Sequence, residues 1–293
     1  MKNNLNSSNY TLEGLYQLCK KSLTEAGIDQ PALEASIIIE HILNYSRMDI
    51  ILSPEKIISQ KDQQTCLAMV EKRVSTHIPI AYLTKVKEFY GRNFHVDKGV
   101  LIPRPDSEIL IDAILDWQKE NKFKKLTALD LGTGSGCLIL TLAMELDILE
   151  GVAIDISEEA LNIAQKNLHN FKLDNKIQLL QSNWDQQLDA NKKFDLIISN
   201  PPYISSDEIA TLSREVKDHE PYLALDGDED GLSPYYILPQ IIQKRLNPQG
   251  KAYVEIGYSQ AYQVTQIFEQ AGLTFLEKYC DLSGHDRILC FTL

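Results

Sequence analysis

From Leu126 onward, short apolar runs alternate with helical patterns, and that alternation constrains the fold of this 293-residue chain more than any other feature. LTALDLG, GVAID, IQLLQ, FDLIIS and KAYVEIG read as strands. GCLILTLAMEL, SEEALNIAQKNLHN, a stretch near Pro234 to Leu246 and another from Ser259 to Ala271 read as helices. Repeated βαβ units imply a doubly wound, mostly parallel sheet with helices on both faces, because the crossover that joins parallel strands packs back onto the sheet in one hand only. The last two runs, TFLEKY and RILCFT, lie close enough in sequence to pair antiparallel at one edge. The expected class is therefore α/β.

The first part of the chain has a different period. Leu12, Leu15, Leu18 and Cys19 recur at helical spacing, as do Leu33, Ile37, Ile38 and Ile42, and then Cys66, Met69, Val70 and Val74. Asp29 is a plausible N-cap with Pro31 in the first turn of its helix. This predicts a helical domain over residues 1–78. Between Ile80 and Val100, Phe89, Phe94 and Val96 flank a polar turn at Gly91-Arg92-Asn93 and predict a β-hairpin linker over residues 79–105. LIPRPDSE then holds Arg104 between two prolines on an extended arm, ahead of a helix that starts near Asp106 or Ser107 and opens the main domain, residues 106–293.

Composition removes several classes of function. The five cysteines, Cys19, Cys66, Cys137, Cys280 and Cys290, form no CxxC pair and read as reduced thiols of a cytosolic protein. Six histidines lack ligand spacing, so no metal is expected. The start, MKNNLNSSNY, has no apolar core of a signal sequence, and no run approaches a membrane span, so a soluble, cytoplasmic protein is expected. The net charge of −12 sits outside residues 1–90, which balance ten basic against ten acidic residues. A protein that grips long nucleic acid needs a basic stripe to neutralise phosphate, and none is visible. The acidic stretch 207–231, nine Asp/Glu against Arg214 and Lys217, reads as a solvated loop, with a surface for a basic partner as its alternative.

Two motifs carry chemistry. LDLGTGSG places Gly132, Thr133, Gly134, Ser135 and Gly136 in a turn between a strand and a helix, where glycine admits backbone angles and ligand approach that a Cβ blocks. Asp155 ends the next strand, where a carboxylate can accept from both hydroxyls of a ribose; Ser157 already suits the capping of the following helix, which frees Asp155. Together they predict a nucleoside site. GxGxG departs from the dinucleotide fingerprint GxGxxG, and Cys137 stands where its third glycine belongs, which tilts the choice toward S-adenosylmethionine without settling it. Trp184, after the third strand, is a candidate cover for the adenine.

The second motif is SNPPYI, which leaves the strand FDLIIS. Pro201 and Pro202 cannot donate to a ladder, so the turn offers acceptors: the side-chain oxygen of Asn200 and the backbone oxygen of Pro201. Such a pair fits a planar NH2 group, whose nitrogen lone pair is delocalised. Accepting both N–H bonds returns electron density to nitrogen and aligns it with an activated methyl. Tyr203 can stack on the flat substrate. All parallel strands end at one edge, so Asn200 should open onto the crevice that holds the nucleoside.

On these residues the chain resembles the protein-(glutamine-N5) methyltransferases that modify class-1 peptide-chain release factors. The resemblance runs through IAYLTKVKEFYG, LIPRPDSE, LDLGTGSG, VAIDIS, SNPPYI, HEPYLAL, DGL and SGHDRIL, about residues 75 to 293. It implies a Rossmann-like methyltransferase domain, S-adenosylmethionine as donor with S-adenosylhomocysteine as product, and the glutamine of a Gly-Gly-Gln loop as acceptor. It implies a pocket of Gly132, Thr133, Gly134, Ser135, Gly136, Asp155 and Trp184, with Asn200, Pro201, Pro202 and Tyr203 at the substrate. Asn183 departs from the Asp common before the Trp. LIPRP argues against the related enzymes that modify a ribosomal protein. A monomer with no nucleic-acid or membrane partner is expected.

Three other readings compete. N6-adenine methylation would use the same acceptor pair but lacks a target-recognition insertion and basic charge. A sensor that binds S-adenosylmethionine without transfer leaves NPPY without a task. A nicotinamide enzyme is disfavoured by the glycine spacing.

Overall fold

The computed structural model describes residues 10–122, 125–147 and 149–293, so the polar start read for a signal sequence lies mostly outside the described residues. The chain divides into two compact units, Met1–Thr84 and Lys85–Leu293.

The first unit is helical: α1 (Leu12–Glu25), α2 (Pro31–Leu43), α3 (Arg47–Leu52), α4 (Gln60–Thr76) and α5 (Ile80–Thr84). The Thr11 hydroxyl caps α1 by accepting from Gly14 N, and Leu12, Leu15, Cys19 and Leu23 form its buried stripe. The start of α2 differs from the sequence expectation. Its N-cap is Gln30, which makes no side-chain capping bond, and Asp29 lies one residue outside; Pro31 at the first helical position sets φ and has no N–H that needs a cap. Arg73 of α4 is fully buried and holds Glu34 of α2 through two bonds of 2.8 and 2.9 Å. Removal of either partner would strand a buried charge, at a cost of about 3–5 kcal/mol.

The second unit begins with a hairpin, β1 (Val86–Phe89) and β2 (Arg92–His95). Its turn is Tyr90-Gly91, one residue earlier than expected, because Phe89 pairs with Arg92. Both turn residues have positive φ, 51° and 72°, the geometry that matches the twist of a two-residue hairpin. A non-glycine in that conformation needs support, and Tyr90 has it: its N donates to Glu108 Oε1 at 2.9 Å and its hydroxyl to Asp112 Oδ1 at 2.7 Å. Residues 80–84, which the change of period assigned to the hairpin region, are the short helix α5.

Beyond the hairpin come α6 (Glu108–Asn121), β3 (Leu126–Leu131), α7 (Cys137–Glu145), β4 (Leu149–Asp155), α8 (Glu158–Asn170), β5 (Ile177–Gln181) and β6 (Phe194–Ser199). Then follow α9 (Ser206–Ile209), α10 (Arg214–Lys217), α11 (Ser233–Arg245), β7 (Leu246–Glu255), α12 (Ala261–Gln270), β8 (Thr274–Cys280) and β9 (Asp286–Thr292). The sheet order is β5-β4-β3-β6-β7-β9-β8; β5 through β7 are parallel, and β9 is antiparallel to both of its neighbours. This is the doubly wound sheet with an antiparallel edge that the alternation predicts.

One core packs α6, α7 and α8 side chains such as Ile114, Leu142 and Leu168 against one face of the sheet; the other packs Leu238, Ile242 and Phe268 of α11 and α12 against the opposite face. Strand order reverses direction at β3: the chain moves outward to β4 and β5, then returns to β6 on its other side. A crevice opens at such a switch point, at the carboxyl ends of the strands. Leu131 and Ser199 are the last paired residues of β3 and β6, so the glycine loop and the SNPPYI turn leave the sheet side by side.

Candidate active site

The glycine loop starts at the end of β3. Gly134 has φ 54°, and a Cβ built on it would meet nothing within 4 Å, so the backbone there faces open space. Gly136, with φ 80°, serves packing instead: a Cβ would lie 2.9 Å from Leu140 Cδ1 of α7. Gly134 N donates to Asp155 Oδ2 and Ser157 N to Asp155 Oδ1, each at 2.9 Å. Burial raises the Asp155 carboxyl above its ordinary range, while the backbone donors Ser157, Gly134 and Ile156 draw it down. The Ser157 hydroxyl caps α8 at Ala160 N, 3.2 Å, so the cap is supplied by Ser157 as the sequence predicts.

Beneath the loop lies Asp130, fully buried, a residue the sequence reading passed over. Its Oδ2 accepts from Thr133 Oγ1 at 2.7 Å, and its Oδ1 has no hydrogen-bond partner among the described residues. Burial pushes this carboxyl up to about 7. Its one clue in the sequence is its place as the single charged residue of the apolar strand LTALDL, which a strand-period reading treats as noise.

A cleft of about 490 Å³ opens at this edge of the sheet, the size of a small-molecule site. Gly132, Thr133, Gly134, Ser135, Asp155, Trp184, Asn200 and Pro202 all line it. The two motifs therefore meet: a Cβ on Gly132 would stand 3.9 Å from the Asn200 carbonyl oxygen. Three expected site residues do not line the cleft. Gly136 packs on α7 as above, and Pro201 is buried. Tyr203, expected to stack on a substrate, instead packs its half-buried ring against the α11/α12 core and donates its hydroxyl to Glu255 Oε1 at 3.4 Å. The turn has by then swung back toward β7.

The opposite wall comes from two segments whose roles the sequence left open. Val100, Leu101, Pro103, Arg104 and Ser107 contribute from the proline arm, and Pro221, Tyr222, Leu223 and Ala224 from the end of the acidic stretch. Glu220 joins the two segments. It is buried, accepts from Ile102 N at 3.1 Å, and pairs with Arg104 Nη2 at 2.5 Å. That acidic stretch is thus a solvated loop only in part. Tyr222 and Leu223, each 58% exposed, leave an apolar rim at the cleft.

The PrmC N-terminal domain family matches residues 15–84, and the methyltransferase small domain family matches residues 105–228. The chain is 37% identical over 274 residues to a release factor glutamine methyltransferase of Agrobacterium fabrum, with 93% of this chain and 94% of that protein covered. It is 38% identical over 279 residues to the enzyme of the same name from Caulobacter vibrioides, with 95% of each covered.

The chain belongs to the release factor glutamine methyltransferase family.

It is also 38% identical over 296 residues to a bifunctional methyltransferase of Rickettsia typhi; it spans 57% of that protein's length and is itself 96% covered. Among solved structures, the hMettl16 catalytic domain in complex with MAT2A 3'UTR hairpin 6 shares the fold, with a TM-score of 0.53 at 14% identity, over 82% of this chain and 85% of that one. Family membership accounts for the methyltransferase fold and for the matched N-terminal domain. Among the described residues no helix is long and apolar enough to cross a membrane, and no cluster of His, Cys, Asp and Glu could hold a metal ion.

Proposed function

We propose that this protein transfers a methyl group from S-adenosylmethionine to the side-chain amide nitrogen of a glutamine, the one in the Gly-Gly-Gln loop of class-1 peptide-chain release factors. The supporting observation is that the glycine loop and Asn200 line one cleft, with the backbones of Gly132 and Asn200 close enough for a donor and a planar acceptor to share it.

The residues present fit the donor. Gly134 offers a backbone face that any Cβ would occupy, and Asp155 stands at the end of β4 with lone pairs beyond the backbone bonds it accepts. Asp155, Trp184 and the 132–135 loop would hold the nucleoside and amino-acid ends, with Asn183 beside Trp184 on the same wall. Bound there, S-adenosylmethionine supplies an electrophilic methyl on a sulfonium. Asn200 Oδ1, on the cleft wall, accepts from the glutamine NH2, returns electron density to nitrogen and holds it in line for displacement. The apolar rim of Tyr222 and Leu223 shields the reacting groups from water. The nitrogen sheds its extra proton once alkylated, so no general base in the cleft is needed. The enzyme acts as a cytoplasmic monomer on a protein substrate.

Incubation of labelled donor with release factor or nucleic acid tests this directly. Label is expected on one glutamine of the release factor; label on adenine, or on neither, would overturn the assignment. Asn200→Ala should lower kcat about a hundredfold or more, as loss of one preorganised polar contact does. Donor Kd should stay within about threefold, a change under 1 kcal/mol.

A further inference from the structure

A planar side-chain amide such as Asn200 is nearly symmetric in shape, yet its two ends are opposite in function. Only Oδ1 can accept from a substrate NH2, so an amide turned the other way presents a donor to a donor. Some group must select the orientation. Asn200 Nδ2 lies 3.4 Å from Ser107 Oγ, and Ser107 Oγ lies 2.6 Å from Glu255 Oε2. Ser107 and Glu255 are both buried, so bulk water does not compete for the bond between them.

The serine hydroxyl has one proton and two lone pairs. An ionised carboxylate can only accept, so the proton goes to Glu255 and lone pairs face Asn200. The amide must then answer with its N–H, which turns Oδ1 toward the cleft. Neither Ser107 nor Glu255 belongs to the two motifs, and Glu255 comes from β7, across the sheet edge.

We propose that Glu255, acting through Ser107, is a positioning residue that sets the Asn200 side-chain amide in its accepting orientation. This rests on the reading of Asn200 as the acceptor for substrate nitrogen.

The surroundings of Glu255 make the arrangement sensitive to pH. Arg287 of β9 and Asp106, which pair at 3.3 Å, face it with opposite charge. Arg287 also donates to Asp281 at 2.9 Å. The Tyr203 hydroxyl lies 3.4 Å from Oε1, the Tyr235 hydroxyl of α11 donates to the Glu255 carbonyl at 3.0 Å, and the Cys137 thiol of α7 also senses its charge. Burial outweighs the Ser107 bond and Arg287 and lifts the carboxyl to about 7. Once protonated, Glu255 can donate to Ser107. The serine proton is then free to turn to Asn200, and both amide orientations are satisfied.

The test uses the full chain with wild type, Ser107→Ala, Ser107→Thr and Glu255→Gln. Saturating donor and release factor give kcat, and calorimetry gives donor Kd. Wild-type kcat is expected to fall on the acidic side with an apparent pKa of about 7, and Glu255→Gln to remove that limb. Ser107→Ala should lower kcat about tenfold, Ser107→Thr should restore most of it, and donor Kd should stay within about threefold throughout. Independently of any acceptor, the Asn200 side-chain NH2 resonances in 15N NMR should titrate in wild type and cease to do so in Ser107→Ala. Unchanged kcat in Ser107→Ala, an acid limb retained in Glu255→Gln, or an Asn200 amide blind to pH in wild type would each overturn the proposal. Absence of release-factor methylation by wild type would overturn the assigned substrate instead, and the NMR titration would still decide the positioning role.

Discussion

At the residue scale, two buried carboxyls stand behind the cleft wall, Asp130 bonded to Thr133 and Glu255 bonded to Ser107. Asp130 and Glu255 are each lifted by burial to about 7, from 3.8 and 4.5. A carboxyl whose folded value lies above its unfolded one binds its proton more tightly in the folded chain. Its stabilising contribution is therefore full below the unfolded value and is lost as pH climbs through the folded one. Asp130→Asn fixes the neutral form. Its melting temperature relative to wild type should rise between about pH 5 and about pH 8, by about 3 °C or more, the shift that about 1 kcal/mol makes in a domain of this size. Equal differences at the two pH values would show that Asp130 ionises freely in the fold. Arg104 and Glu220 make a different case. Glu220 is buried while Arg104 is about one-third exposed, so Glu220→Ala leaves a cation that water can still reach and frees the Ile102 N–H. Arg104→Ala instead strands a buried carboxylate. Its loss of thermal stability at neutral pH should exceed that of Glu220→Ala, and the gap should close as pH falls and the carboxyl is neutralised.

At the element scale, the site depends on how strands end. β3, β4 and β6 stop within one residue of one another at one edge, and each termination is a local sequence event: Gly132 after Leu131, Ser157 capping α8 after Asp155, and Pro201 after Asn200. Ser157→Ala removes the α8 cap and should cost about 1 kcal/mol. The Ser157 N–H that holds Asp155 belongs to the backbone and remains, so donor Kd should not change. A melting temperature lowered together with donor affinity would show that the cap also shapes the cleft. Gly136→Ala acts differently: a Cβ collides with Leu140 at 2.9 Å and φ is left-handed, so a loss of about 1–3 kcal/mol is expected in thermal unfolding.

At the scale of the whole molecule, the chain carries separate cores. Leu12, Leu15, Ile38, Ile39 and Val70 close one around the N-terminal helices, and the sheet carries its own on two faces. Every residue lining the cleft lies within Lys85–Leu293. Residues 85–293 expressed alone should therefore unfold cooperatively and bind S-adenosylmethionine within about threefold of the full chain, as calorimetry would show. Failure to bind would mean that the N-terminal unit contributes to the donor site. The net charge of −12 remains a statement about partners: it disfavours a phosphate backbone and suits a basic protein surface.

The alternation after Leu126 and the residues that close each strand were enough, by themselves, to specify a doubly wound sheet and to place GxGxG, Asp155 and Asn200 at one edge. Periodicity and turn chemistry are local, and parallel strands share a carboxyl end. Tertiary structure alone decided which side chains complete the site. Asp130 gains its raised carboxyl only when α7 and the sheet bury it. Ser107 and Glu255 lie 148 residues apart, and meet Asn200 only because the proline arm and β7 converge on the same strand end. Tyr203 turns away from the cleft for the same reason: the direction of a side chain after a proline turn is set by what it packs against, which no local pattern records.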